Sequence, residues 1–166
     1  MRSSLLLLLI FSSGICSAQA DTLMTVFGVA KNAITGERIK NLSVMAVDLS
    51  DTTQMIRARG FEDGRYDLAL TEIRSYLILY SAPGYVTKSV QVDMAGPTED
   101  DWKGGFGLQI DATLLEHRDG VDYSALKEPF GRSSYVASAG NFEWDREYSD
   151  RMRQEQEKIL KIYNKK

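Results

Sequence analysis

His117 is the only histidine in the chain, and that limits the chemistry open to it. A catalytic zinc site takes about three nitrogen, oxygen or sulfur ligands and keeps a fourth position open. Cys16 is the only cysteine, so no thiolate joins His117, which sits beside Arg118 and Asp119 and reads as a surface turn residue. Ser81 and Ser124 are candidate nucleophiles, but serine acyl transfer needs a histidine base oriented by a carboxylate. Neither serine lies in a Gly-x-Ser-x-Gly turn. Glu99-Asp100-Asp101 and the stretch from Glu116 to Asp122 are acidic enough to hold calcium through oxygen ligands. Their spacing does not match an EF-hand loop, and acidic loops of this kind are usually just solvated. Carboxylates for glycoside cleavage are plentiful, yet no spacing singles out a pair. The residues therefore assign no catalytic group, no metal ligand and no cofactor.

Aromatic side chains are the remaining chemistry. Trp102, Phe106, Tyr123, Phe130, Tyr135, Phe142 and Trp144 cluster in the second half, several beside glycines. One reading makes them a stacking surface for a sugar or peptide, with Trp102, Tyr135 and Trp144 as the ligand-binding candidates. The other makes them fasteners, because a short extension with few aliphatics must bury something large to stay ordered. Trp102, between Asp101 and Lys103 in a turn, is the one expected at the surface.

Residues 1–20 carry one charge, Arg2, an apolar run from Leu5 to Phe11, and small residues at Ala18-Gln19-Ala20. That is the signature of a secretory signal peptide, too short to be a permanent span. Cys16 follows Ser13-Gly14-Ile15, where bulky Ile15 occupies a place that lipidation reserves for a small residue. Lipidation at Cys16 is therefore not expected. The chain reads as exported, periplasmic or associated with the outer envelope, with no transmembrane helix. Without Arg2 the chain holds 19 basic against 23 acidic residues and no basic patch, which argues against nucleic acid.

The elements that must position any site follow from periodicity. From Met24 to Asp93 the pattern is β, with strands at about 8–12-residue spacing and turn residues between them, which describes an antiparallel sandwich. Gly36, Asp63-Gly64 and Pro83-Gly84 supply the turns, and Gly64 provides the positive φ a tight turn needs. Val26, Val44, Tyr66, Leu68, Leu77, Leu79, Tyr85, Leu108 and Ile110 are the expected core. Tyr76 to Tyr80 is apolar throughout, as in a strand covered on both faces. Gln54 to Arg59 reads as an edge strand, and Phe106 to Leu115 as one long half-buried strand. Pro129 and Gly131 break the stretch 117–144, which reads as an irregular arm. From 145 to 166 the pattern is helical, with Asn141 a plausible N-cap and Tyr148, Met152, Ile159 and Tyr163 on one stripe. That stripe packs either on its own sandwich or, as a partner helix, on another protein.

Several segments resemble a carboxypeptidase regulatory-like domain. They are Val26 with Gly28, Ile34-Thr35-Gly36-Glu37 with Ile39, Val44 with Ala46, and Asp63-Gly64 followed by Tyr66 and Leu68. The strand Tyr76-Leu77-Ile78-Leu79, closed by Ser81-Ala82-Pro83-Gly84-Tyr85, resembles the later part of that domain. The resemblance covers 24–93 and implies a mainly β, transthyretin-like (Ig-like) sandwich, here with a C-terminal extended arm and one α-helix. The tail, with Gly104-Gly105-Phe106 and Leu126-Lys127-Glu128-Pro129, is similar to small exported proteins of Bacteroidota. In metallocarboxypeptidases the domain is the non-catalytic partner. The resemblance thus implies an envelope accessory that binds a protein partner, with a carbohydrate as the alternative ligand and a hydrolase accessory third. The expected divisions are 1–20 leader, 21–116 sandwich, 117–144 arm and 145–166 helix.

Overall fold

A computed structural model describes residues 21–165. The leader reading for 1–20, Cys16 included, lies outside the described residues. Two β-sheets pack face to face. The first contains β1 (Met24–Asn32), β4 (Arg59–Gly60), β5 (Arg65–Leu70), β8 (Phe106–Gln109) and β9 (Ala112–Leu114). Its order is β4-β5-β1-β8, and β9 continues along the same side of β1. The second contains β2 (Ser43–Asp48), β3 (Met55–Arg57), β6 (Ser75–Ser81), β7 (Lys88–Asp93), β10 (Arg132–Val136) and β11 (Asn141–Trp144). Its order is β11-β10-β7-β6-β2-β3.

Alternation explains what lies between the sheets. Met24, Val26 and Ala30 of β1 face Leu68 and Leu70 of β5 and, across the sandwich, Val44, Ala46, Ile78, Tyr80, Val90 and Val92, all buried. Each strand turns every second side chain inward, so one face is dry and the other wet. Gly64 adopts φ 77° between β4 and β5, and a Cβ there would lie 2.8 Å from the Ile39 carbonyl oxygen.

The sandwich is mixed rather than antiparallel. β1 runs antiparallel to β5 but parallel to β8 and β9, and β10 runs parallel to β7. The cause is a crossover: after β7 the chain passes through a one-turn helix, α1 (Glu99–Trp102), and returns along β1 in the other sheet. Thr98 and Asp101 close a reciprocal capping box on α1, so the acidic loop is helical. The edge segment Gln54–Arg59 also divides, β3 joining the second sheet and β4 the first.

Other expectations shift for similar reasons. The strand expected over 106–115 breaks at Ile110-Asp111 into β8 and β9, although Leu108, Ile110, Ala112 and Leu114 all point inward. Leu77 and Leu79 are half-buried on the outer face of β6, because Tyr76, Ile78 and Tyr80 occupy the inner one. Tyr85 is half-buried at the core margin, its hydroxyl 3.3 Å from both Asn32 Nδ2 and Glu116 Oε1. The irregular arm is a 3-10 turn over Ser124–Lys127 followed by the hairpin of β10 and β11. Asn141 opens β11, and Asp145 caps the helix α2 (Arg146–Tyr163) instead, accepting the Tyr148 N–H at 2.9 Å.

Helix α2 packs on its own chain. Tyr148, Met152, Ile159 and Tyr163 are buried, the last two with Leu115 and Leu126. The Tyr148 hydroxyl donates to the Pro129 carbonyl at 2.7 Å while the Arg132 guanidinium lies 4.0 Å from its ring. At the other end Arg118 covers the Tyr163 ring at 4.0 Å and donates to the Tyr163 carbonyl. No helix of the described residues is long and apolar enough to cross a membrane.

Candidate functional site

The break between β8 and β9 is built by four residues. Gly28 lies under it, and a Cβ on Gly28 would stand 2.1 Å from the Ile110 carbonyl oxygen. That carbonyl turns inward and accepts the Tyr66 hydroxyl at 2.8 Å, inside the core. Tyr66 spends its only proton there, so Tyr80, 2.8 Å away, donates to Tyr66. Burial pushes both phenols above their ordinary pKa. Asp111 then reaches back, and its carboxylate accepts the Val29 N–H at 3.2 Å where the ladder has opened. Bulges of this kind re-aim side chains at sheet margins.

The re-aimed segment forms one wall of an open cleft of about 570 Å³. Gln109, Ile110 and Asp111 make that wall, and Phe130, Gly131 and Trp144 the floor. Arg146, Ser149, Asp150, Arg153 and Gln156, on successive turns of α2, make the opposite wall. Gly131 lies close under Trp144, and a Cβ there would stand 3.0 Å from the ring, so the indole would have to shift by a few tenths of an ångström to admit it. Arg153 pairs with Asp150 at 2.9 Å, and Ser149 Oγ donates to the Asp145 carbonyl at 2.7 Å.

Behind the floor sits Lys88, only 6% exposed. Its ammonium donates to the Thr113 carbonyl at 2.9 Å and to Gln156 Oε1 at 3.0 Å, and lies 4.9 Å from the Phe130 ring. Among the described residues no carboxylate pairs with it, and burial lowers its pKa to about 8. The lysine ties β7, β9, α2 and the floor of the cleft together.

On the far side of Gln109 and Asp111 lies the solvent face of the first sheet. Phe27 is 41% exposed there and Phe61 36%, with Arg59 and Arg65 at 5.1 and 5.8 Å from the Phe61 ring. A shallow depression of about 430 Å³ joins Phe27, Phe61, Arg65, Asp67 and Gln109.

The ligand-binding candidates from sequence separate. Trp144 lies in the cleft. Trp102, expected at the surface, is buried at 8% exposure, because its ring closes an aromatic cluster with Phe106 at 5.0 Å and Phe142 at 6.0 Å. Tyr135 packs on Phe106 and Phe142 at 5.9 and 5.7 Å and is half-buried. His117 stacks loosely on Tyr123 at 5.7 Å, Ser124 follows an Asx turn of Asp122, and Ser81 Oγ faces the Ser43 carbonyl; none borders the cleft. Among the described residues no group of three or more metal-ligating side chains gathers. Sequence reasoning missed the cleft walls, whose residues come from distant elements. Phe27 was legible, since alternation with Val26 puts it on the wet face.

No family model matches the chain, and no curated protein matches it. Solved structures offer only distant likeness. A catechol 1,2-dioxygenase from Acinetobacter is 14% identical, with 72% of this chain and 60% of that chain covered and a TM-score of 0.40. A protein from Bacteroides uniformis, provisionally described as carbohydrate-binding, is 10% identical over 61% of this chain and 50% of its own, TM-score 0.39. A Bacteroides fragilis protein of unknown function, provisionally membrane-associated, is 15% identical over 59% and 29%, TM-score 0.38. The chain spans less than two thirds of each of these three structures. Likeness this weak carries no argument about ligand or chemistry.

Proposed function

We propose that this protein is an exported, non-enzymatic binding module of the bacterial cell envelope, built on a carboxypeptidase regulatory-like sandwich. Its ligand is a protein partner, bound in the cleft between α2 and the β8–β9 break. One observation carries the reading: the cleft sets Trp144 and Phe130 at its base between two walls of hydrogen-bonding side chains. An apolar base with few, placed polar groups is the usual build of a binding site. Its one hydroxyl, Ser149, is engaged with a backbone carbonyl and no histidine lines the cleft, so the walls suit recognition better than acyl transfer. Helix α2 serves as a wall of the site, its apolar stripe already spent on its own chain.

A carbohydrate ligand is the second reading, and a different surface favours it. Phe27 and Phe61 expose their rings beside Gln109, Asp67 and Arg65, an aromatic platform with polar neighbours. Retention of envelope proteins on the immobilised chain separates the two. The account expects one protein to be retained by the native chain and lost from Trp144→Ala and Arg153→Glu, both checked for folding by near-UV circular dichroism. Retention of that protein by both folded variants would overturn the cleft as its site. A glycan-array signal abolished by Phe27→Ala would replace the protein reading with the carbohydrate one.

A further inference from the structure

β8 is the last strand of the first sheet, and its margin reaches the cleft at Gln109. In a parallel ladder alternate residues direct both main-chain groups to the same neighbour. The Phe106 N–H bonds the Leu23 carbonyl and the Ile110 N–H bonds the Phe27 carbonyl, both toward β1. Gly107 and Gln109 therefore aim their N–H and C=O groups away from β1, Gln109 at the cleft and Gly107 at the exposed margin leading to it. Such a row of unpaired groups is a template for another strand. Four residues beyond Gln109, past the break and on β9, the Thr113 carbonyl accepts a donor from outside the sheet, the Lys88 ammonium. The margin is thus receptive, sealed at one end by Lys88 and open at the other.

We infer that the partner binds as an extended peptide that adds a strand to the free margin of β8, pairing with Gly107 and Gln109. This rests on the cleft being the binding site. Side chains pointing one way from the added strand cover Trp144 and Phe130. Those near the helix N-terminus meet Arg146, which forms no ion pair among the described residues and sits at the positive end of the α2 dipole. The chemistry that fits is a short extended segment with one apolar and one acidic side chain, spanning four or five residues at about 3.3 Å each.

The test uses a displayed library of random dodecapeptides against the full folded chain. Binders lost on Trp144→Ala are then resynthesised with single N-methyl groups along the backbone. Strand addition predicts a period of two: methylation at residues facing β8 weakens binding about 10–100-fold, and at residues facing away leaves it nearly unchanged. It also predicts slower amide exchange at Gly107 and Gln109 in the complex, and about tenfold weaker binding in Arg146→Glu. Binders with a flat methylation profile and unchanged exchange at Gly107 and Gln109 would overturn strand addition and leave the cleft standing. A library with no binder sensitive to Trp144→Ala would overturn both.

Discussion

The two halves of the molecule hold themselves together by different means. Residues 24–93 bury aliphatic side chains in alternation, with Val26, Leu68, Leu70, Ile78, Val90 and Val92 completely enclosed. Residues 95–165 bury Leu108, Ile110, Ala112 and Leu114 as well, but add ring-on-ring contacts and cations over rings: Trp102, Phe106 and Phe142 in one cluster, Tyr148 under Arg132, Tyr163 under Arg118. Burial by area is non-directional and tolerates volume-conserving exchange. Ring-and-cation fastening depends on a few directed contacts, so it leaves openings, and the cleft of about 570 Å³ is one of them. The sandwich supplies rigidity and the extension supplies the site.

The contrast can be broken most severely at Gly28, where the halves meet. Gly28→Ala places a Cβ against the Ile110 carbonyl, and about 3 kcal/mol or more of stability should go as the β8–β9 break is forced outward. Urea unfolding measures it. Loss below 1 kcal/mol would mean the break is loosely held.

Lys88 should have the next largest effect, through pH. Its folded pKa is lowered to about 8 from the ordinary lysine value, so the unfolded chain binds the extra proton between pH 8 and about 10.5. Stability therefore rises across that window, by roughly 3 kcal/mol at most. Tyr66 and Tyr80 act oppositely, their raised pKa values giving stability that is present below pH 10 and lost above it. Thermal melts should show a maximum between pH 9 and 10. Lys88→Met should abolish the rise and, at pH 7, leave the chain as stable as before or more so, since it removes an unneutralised buried charge.

Smaller effects belong to the extension. Tyr148→Phe removes one hydrogen bond to the Pro129 carbonyl and should cost about 1 kcal/mol, with α2 opening before the sandwich in hydrogen exchange. Asp145→Ala removes the helix cap and should cost about 1 kcal/mol, while Asn141→Ala should cost less because Asn141 caps nothing. Reversal of that order would restore the cap expected from sequence.

Legibility followed the same division. Strand alternation placed Val26, Val44, Tyr66, Leu68, Leu108 and Ile110 in the core from sequence, because a period of two depends only on neighbours along the chain. Leu77 and Leu79 went to the wrong face because a wholly apolar strand carries no phase; only pairing with β2 and β7 chooses Tyr76, Ile78 and Tyr80 as the inward set. Parallel pairing was hidden too, since it follows from the crossover rather than from any one strand. The hairpin of β10 and β11 was unreadable because Ser133, small and polar, points inward where a large apolar residue would have signalled a strand. Trp102 looked exposed among charges that in fact belong to a one-turn helix. Of the cleft, Trp144 and Phe130 are visible in the sequence as clustered aromatics, while the polar side chains of its walls acquire meaning only when α2 returns beside Gln109 and Asp111.

Photo-crosslinking in cells tests most directly whether the cleft holds the partner. A photoactivatable phenylalanine analogue at Arg153, in the cleft, is compared with one at Met55, on the outer margin of the second sheet. A partner seated in the cleft gives a covalent adduct with one envelope protein from position 153 and none from position 55. An adduct with that protein from position 55 and none from 153 would contradict that seating.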